Sequence, residues 1–128
     1  MTTNNQFWDH SVDVLVVGSG AGAMTAALRA AHAGTNTLIV EKSAYYGGTS
    51  ATAGGVLRIP VNHLMAACGI DDSYDEAMRY MQALTGTDVP EKNVASYVKN
   101  AARMLRWAMD NSRLEFQAMG YYADYYQH

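Results

Sequence analysis

Val14 to Leu28 reads VLVVGSGAGAMTAAL, and its glycine spacing constrains the fold more than any other feature of the chain. Val12 to Val17 is a β-branched, almost wholly apolar run, the pattern of a parallel strand covered on both faces. Gly18-Ser19-Gly20-Ala21-Gly22 breaks it. From Ala21 to about Ala33 the chain is alanine-rich, with Met24, Leu28 and Ala31 on one stripe, which predicts a helix. Gly34 suits the position just past its end. Thr37 to Val40 is a second strand, closed by Glu41. The stretch therefore predicts a βαβ unit.

Gly18, Gly20 and Ala23 fit the G-x-G-x-x-G/A pattern of a dinucleotide turn. Gly18 lets the chain turn sharply off the strand. Gly20 lacks a Cβ, so a pyrophosphate can approach the backbone, and a small Ala23 lets the helix pack close to the sheet. The helix N-terminus offers free N–H groups and the positive end of a dipole. Glu41 follows Gly18 by 23 positions, where a carboxylate can accept from a ribose hydroxyl. The motif alone does not separate NAD from FAD, and a glycine-rich turn without a ligand is the alternative.

The remaining totals narrow the class. A chain of 128 residues fits one small domain, and a net charge of −3 with mixed signs gives no footprint for nucleic acid or an anionic membrane. Cys68 is the single cysteine, so an internal disulfide is excluded, which fits a reducing, cytoplasmic setting. The polar N-terminus has no signal-peptide pattern, and no apolar run reaches the length of a membrane span. His10, His32, His63 and His128 show no metal-ligand spacing, so no metal is expected.

Beyond the first unit the chain reads as mainly helical. Lys42 to Gly55 is a glycine-, serine- and threonine-rich loop, with one helical turn around Thr49 to Ala53. VLRIP is read as a short strand stopped by Pro60. A short helix is expected over Asn62 to Cys68, stopped by Gly69. Ser73 to Glu76 has capping-box spacing and starts a helix from Tyr74 to Leu84, with Gly86 beyond it. Pro90 suits a first helical position. Val94, Tyr97, Val98, Ala101, Leu105, Ala108 and Met109 then recur at helical spacing to about Asn111. Leu114 to Gln117 is read as a short strand. Cys68 is expected to be a small buried hydrophobe, and Met78, Met81, Met104 and Met109 core filler.

The loop EKSAYYGGTSATAGG points to one cofactor. It resembles the segment after the second strand in the fumarate reductase and succinate dehydrogenase flavoprotein family. Within that family it is most similar to the 3-oxosteroid dehydrogenases, whose string is close to E-K-x-x-x-x-G-G-T-S-A-x-S-G-G followed shortly by Pro. The resemblance also takes in DVLVVGSGAGA and, more loosely, the helical segment up to DYY. It implies FAD, with Gly18, Ser19, Gly20, Ala21 and Gly22 holding the pyrophosphate. Glu41 would bind the adenosine ribose, with Lys42 and Ser43 beside it. Gly48, Thr49, Ser50 and the Ala53-Gly54-Gly55 turn would wrap the phosphates and flavin. Succinate dehydrogenases attach FAD through a histidine in this loop. None occurs between Lys42 and Gly55, so the FAD is expected to be non-covalent.

The same resemblance implies an oxidoreductase acting on CH–CH groups. Steroid 1-dehydrogenation removes a proton beside the 3-ketone and passes a hydride to flavin. Asp124-Tyr125-Tyr126 matches the family's D-Y-Y string, so Tyr125 carries over as a candidate supporting a base that comes from a later domain. Packing at a domain edge is the alternative for Tyr125, and Tyr121, Tyr122 and Tyr126 are expected to pack or line the cleft. Steroid-type members often carry Trp two places before the Pro. Arg58 stands here, and is expected to point to solvent, with contact to an anionic substrate as the alternative.

The fold class implied is α/β: a Rossmann-like βαβ FAD-binding unit followed by a helical segment, in an incomplete domain. Residues 1–128 read as the N-terminal part of an FAD-binding domain, with 1–60 the βαβ unit and flavin loop and 61–128 mainly helical. The substrate expected is a small apolar compound such as a 3-ketosteroid. A fumarate- or enoate-reductase-like activity and a truncated non-catalytic fragment are the alternatives. The stop in an aromatic-rich segment, without a polar tail, leads to the expectation of truncation and of a chain that is inactive by itself.

Overall fold

The computed structural model describes residues 8–122. The chain divides into two compact units between Val56 and Leu57.

The first unit is built on β1 (Val14–Val17), α1 (Ala21–His32) and β2 (Thr37–Val40). The strands are parallel, with Val14 opposite Thr37 and Val17 opposite Val40. Asp13 N–H donates to the Asn36 carbonyl at 2.9 Å, and Asn36 N–H returns to Asp13 Oδ2 at 2.9 Å. At the other end, Gly18 N–H donates to the Val40 carbonyl at 2.7 Å. That bond draws the glycine turn against the last residue of β2. Ala33 caps α1, and Gly34 takes φ +86°, the left-handed conformation in which glycine costs least.

Two expectations for this unit are corrected. β1 is not covered on both faces: Val16 is buried, but Leu15 and Val17, which point the other way, are 56% and 77% exposed. The packed stripe of α1 also differs. Ala27 is buried and Ala23, Leu28 and Ala30 are partly so, whereas Met24 and Ala31 are exposed, so only Leu28 of the expected stripe faces inward. Small residues face inward because a parallel βαβ unit brings its helix close to the strands.

Gly48–Thr52 forms the expected helical turn, of the tighter 3₁₀ kind. Gly47 before it takes φ +109°.

The second unit carries α2 (Tyr74–Thr85) and α3 (Glu91–Asp110). Ser73 Oγ accepts from Glu76 N–H at 3.2 Å and donates to Glu76 Oε2 at 3.3 Å, so the capping spacing acts as read. Gly86 follows α2 with φ +52°. Pro90 is the cap of α3 rather than its first helical residue, because its ψ of 134° is extended. Ala77 packs with Val94 and Val98, and Met78 and Met81 lie against them. Ala101, Leu105 and Ala108 continue the buried stripe of α3. Met104 is exposed instead of filling the core.

Neither VLRIP nor Leu114 to Gln117 is a strand. In VLRIP the Arg58 carbonyl accepts from the Tyr97 hydroxyl, and Pro60 has no N–H to offer a ladder. Leu114 N–H goes to Ser112 Oγ at 3.1 Å. The helix expected over Asn62 to Cys68 shrinks to a 3₁₀ turn, Ala66–Cys68, because Asn62 Oδ1 takes the Leu64 N–H at 3.0 Å. Cys68 is exposed, not buried. Tyr121 stands in solvent. Among the described residues, no helix is long and apolar enough to cross a membrane.

Candidate functional site

The parallel register sets the site. With Val17 opposite Val40, the next residues along each strand, the Gly18–Ser19 turn and Glu41, come side by side. Ser19 is buried, and its hydroxyl donates to Glu41 Oε2 at 2.5 Å. The second carboxylate oxygen, Oε1, accepts from Ser43 N–H at 3.0 Å. The Ser19 hydroxyl, first, and then the Ser43 amide hold the Glu41 carboxyl below its ordinary range, while burial opposes them. The Lys42 amide adds to the same effect.

The loop after β2 returns to the start of α1. Gly47 N–H donates to Ser19 Oγ at 2.8 Å, and Ala21 N–H donates to Ser50 Oγ at 3.1 Å. A Cβ added at Gly48 would lie 3.4 Å from Gly20 Cα, so the two glycines let the turns close on each other.

These residues fit a dinucleotide. Gly20 caps α1 without a side-chain bond, and no acid stands in the first turn. The Gly22 and Ala23 amides have no acceptor among the described residues. They and the helix dipole suit a phosphate oxygen. The Glu41 oxygens retain lone pairs for hydroxyl donors.

The structure brings together Gly18, Ser19, Gly20, Ala21, Gly22, Glu41, Lys42, Ser43, Gly48 and Ser50 in this cluster. Thr49 lies in the 3₁₀ turn, where its carbonyl accepts from Thr52 Oγ1 at 2.9 Å. Ala53 donates from its N–H to the Ser50 carbonyl at 3.3 Å, and Gly54 and Gly55 follow as exposed chain. Gly47 is the residue that sequence reasoning missed. The Gly47-Gly48 doublet was the available signal, since both take positive φ. Tyr125, with Asp124 and Tyr126, lies outside the described residues.

In the second unit the Arg58 guanidinium lies over the Tyr80 ring, 4.0 Å from its centre. Its side chain is exposed but held by a cation–π contact rather than simply pointing into solvent. A cleft of about 370 Å³ between the end of α2 and the start of α3 is lined by Gln82, Thr85 and Val94, and holds none of the candidate residues.

A family model described as an FAD binding domain matches residues 13–124. The 3-oxosteroid 1-dehydrogenase of Mycolicibacterium smegmatis is 42% identical over 114 residues, covering 89% of this chain and 20% of the relative. The 4-oxocyclohexanecarboxylate 2-dehydrogenase of Sinomonas cyclohexanicum is 39% identical over 115 residues, covering 90% and 20%. Among solved structures, the 3-ketosteroid delta1-dehydrogenase of Sterolibacterium denitrificans, in complex with 1,4-androstadiene-3,17-dione, aligns with a TM-score of 0.69 at 49% identity. That alignment covers 75% of this chain and 17% of the other. The chain spans about a fifth of the length of the curated relatives it matches.

Proposed function

The chain belongs to the FAD-binding-domain family, its cofactor is FAD, and from that premise we propose that it is the cofactor-binding part of a 3-ketosteroid dehydrogenase. Residues 1–128 are read as the N-terminal part of the domain, with 1–60 carrying the βαβ unit and flavin loop and 61–128 the helical segment. The single observation that carries this is the closure of the Gly47–Thr52 turn on the N-terminus of α1 through Ser19 and Ser50.

The residues divide the work by chemistry. Gly18 turns the chain, and the backbone of Ser19, Gly20 and Gly22 faces the pyrophosphate, with Ala21 held in place through its N–H to Ser50 Oγ. Glu41 accepts from the adenosine ribose, with Lys42 and Ser43 fixing its position. Gly48, Thr49, Ser50, Ala53, Gly54 and Gly55 approach the phosphates and flavin, where small residues leave room. The FAD is held without a covalent bond, and when bound it supplies the hydride acceptor. Tyr125 supports a base from elsewhere in the longer reaction machinery. A cytoplasmic setting goes with this reading.

Arg58 favours a second reading, an anionic substrate: fumarate-like, or a ring ketone carrying a carboxylate. The name of the Sinomonas relative points to the latter chemistry.

A chimera tests both. The matching N-terminal segment of the Mycolicibacterium relative is replaced by this chain and assayed with a 3-ketosteroid, fumarate and 4-oxocyclohexanecarboxylate. Retained flavin and ketosteroid dehydrogenation are expected. Retained flavin with turnover of only the anionic compounds would overturn the steroid reading.

A further inference from the structure

Ser19 touches three parts of the chain that are far apart in sequence. Its side chain is only 3% exposed together with the rest of the residue. It reaches Glu41, 22 residues on, and receives Gly47, 28 residues on. A hydroxyl has one proton and two lone pairs. The proton is committed to Glu41 Oε2, and a lone pair to the Gly47 amide. None is left to donate to a phosphate, so only the main chain of Ser19 can serve the pyrophosphate.

We propose that Ser19 is a positioning residue, a buried relay through which the Glu41 carboxylate and the Gly47-Gly48 turn hold each other in place for the adenosine half of the cofactor. The inference rests on the FAD reading above. Its direction follows from the geometry. The charged carboxylate accepts the stronger, charge-assisted bond and so fixes the hydroxyl rotor. The fixed rotor presents its lone pair to the Gly47 amide. Glu41 therefore controls Gly47 without touching it. Gly47 in turn precedes the 3₁₀ turn that brings Ser50 to the Ala21 amide. One hydroxyl thereby connects the ribose acid, the phosphate turn and the second loop.

The test uses the full chain, with amide hydrogen exchange at Gly47 in the absence of ligand and calorimetric titration with ADP. Wild type, Ser19→Ala, Glu41→Ala and the double variant are compared. Both single variants are expected to exchange Gly47 about ten-fold faster, as loss of a charge-assisted hydrogen bond implies. Ser19→Ala is expected to bind ADP about ten-fold more weakly. In the Glu41→Ala background it is expected to cost nothing further, a coupling that a merely structural serine would not show. Unchanged Gly47 exchange in Glu41→Ala overturns the relay, as do additive losses in the double variant. If Ser19→Ala fails to fold, the exchange in Glu41→Ala decides alone, because Glu41 is partly exposed. A wild-type chain that binds neither ADP nor FAD overturns the FAD reading, while the Gly47 exchange still decides the relay.

Discussion

Ser50 Oγ accepts a hydrogen bond from the Ala21 amide at 3.1 Å, across 29 residues of chain. The first N–H of α1 is thus satisfied by the second loop, and the Ser50 proton remains available to a phosphate oxygen. Ser50→Ala should weaken FAD binding by about 1 kcal/mol, the worth of one ordinary hydrogen bond. The melting temperature should hardly move, since Ser50 is exposed. Calorimetric titration with FAD checks this. Wild-type affinity in Ser50→Ala would confine Ser50 to capping the helix.

Gly47 and Gly22 should respond in opposite ways to alanine. A Cβ at Gly47 would meet Ala51 Cβ at 2.6 Å, and φ there is +109°. Gly47→Ala should therefore lose about 1–3 kcal/mol of stability. Gly22 lies in α1 with nothing within 4 Å of an added Cβ. Gly22→Ala should stabilise the ligand-free chain by roughly 0.5–1 kcal/mol, because alanine loses less entropy in a helix. Urea unfolding of both variants gives the comparison. Equal effects would show that the 3₁₀ turn is not under the constraint described.

Acid should unfold the first unit partly through Glu41. Its carboxyl lies below the ordinary 4.5 in the folded chain. A depressed value means the stabilisation is present above the ordinary pKa and is lost as pH falls through the folded one. Glu41→Gln should flatten the acid limb of the stability–pH curve while changing little above it in slope. An unchanged acid limb would remove Glu41 from the linkage.

Tyr97 should govern the alkaline side of the second unit. Burial pushes its phenol above the ordinary 10.0, and the Arg58 charge offsets part of that rise. The neutral phenol donates to the Arg58 carbonyl. Its stabilisation is complete below the ordinary pKa and is lost as pH rises through the folded one. Tyr97→Phe should cost about 0.5–1 kcal/mol at neutral pH, a low figure because the ring is partly exposed. It should also remove a tyrosine that ionises above the ordinary range in a spectrophotometric titration. Loss of an early-ionising tyrosine instead would contradict the assignment.

The βαβ unit is legible in the sequence because local signals agree. The apolar run, the glycine turn, Gly34 and the acid after Val40 all point to one arrangement. The inward face of α1 is less legible. Met24, Leu28 and Ala31 form an apolar stripe, but of these only Leu28 is partly buried, and close approach to the strands brings in the smaller Ala23, Ala27 and Ala30. VLRIP has the residue types of a strand, but among the described residues no strand pairs with it. The part of Ser19 is hidden for a different reason. It depends on the Val17–Val40 register and on the return of Gly47, two long-range facts that no local window contains. The candidate residues are readable from composition and resemblance, but their connection is a property of the folded chain.

Titration of the purified chain with FAD and, separately, with NAD tests the central claim most directly. The chain should quench flavin fluorescence on binding FAD, acquire the bound-flavin absorbance band, and release all of the flavin on acid precipitation. A folded chain that binds NAD and leaves FAD free would contradict it.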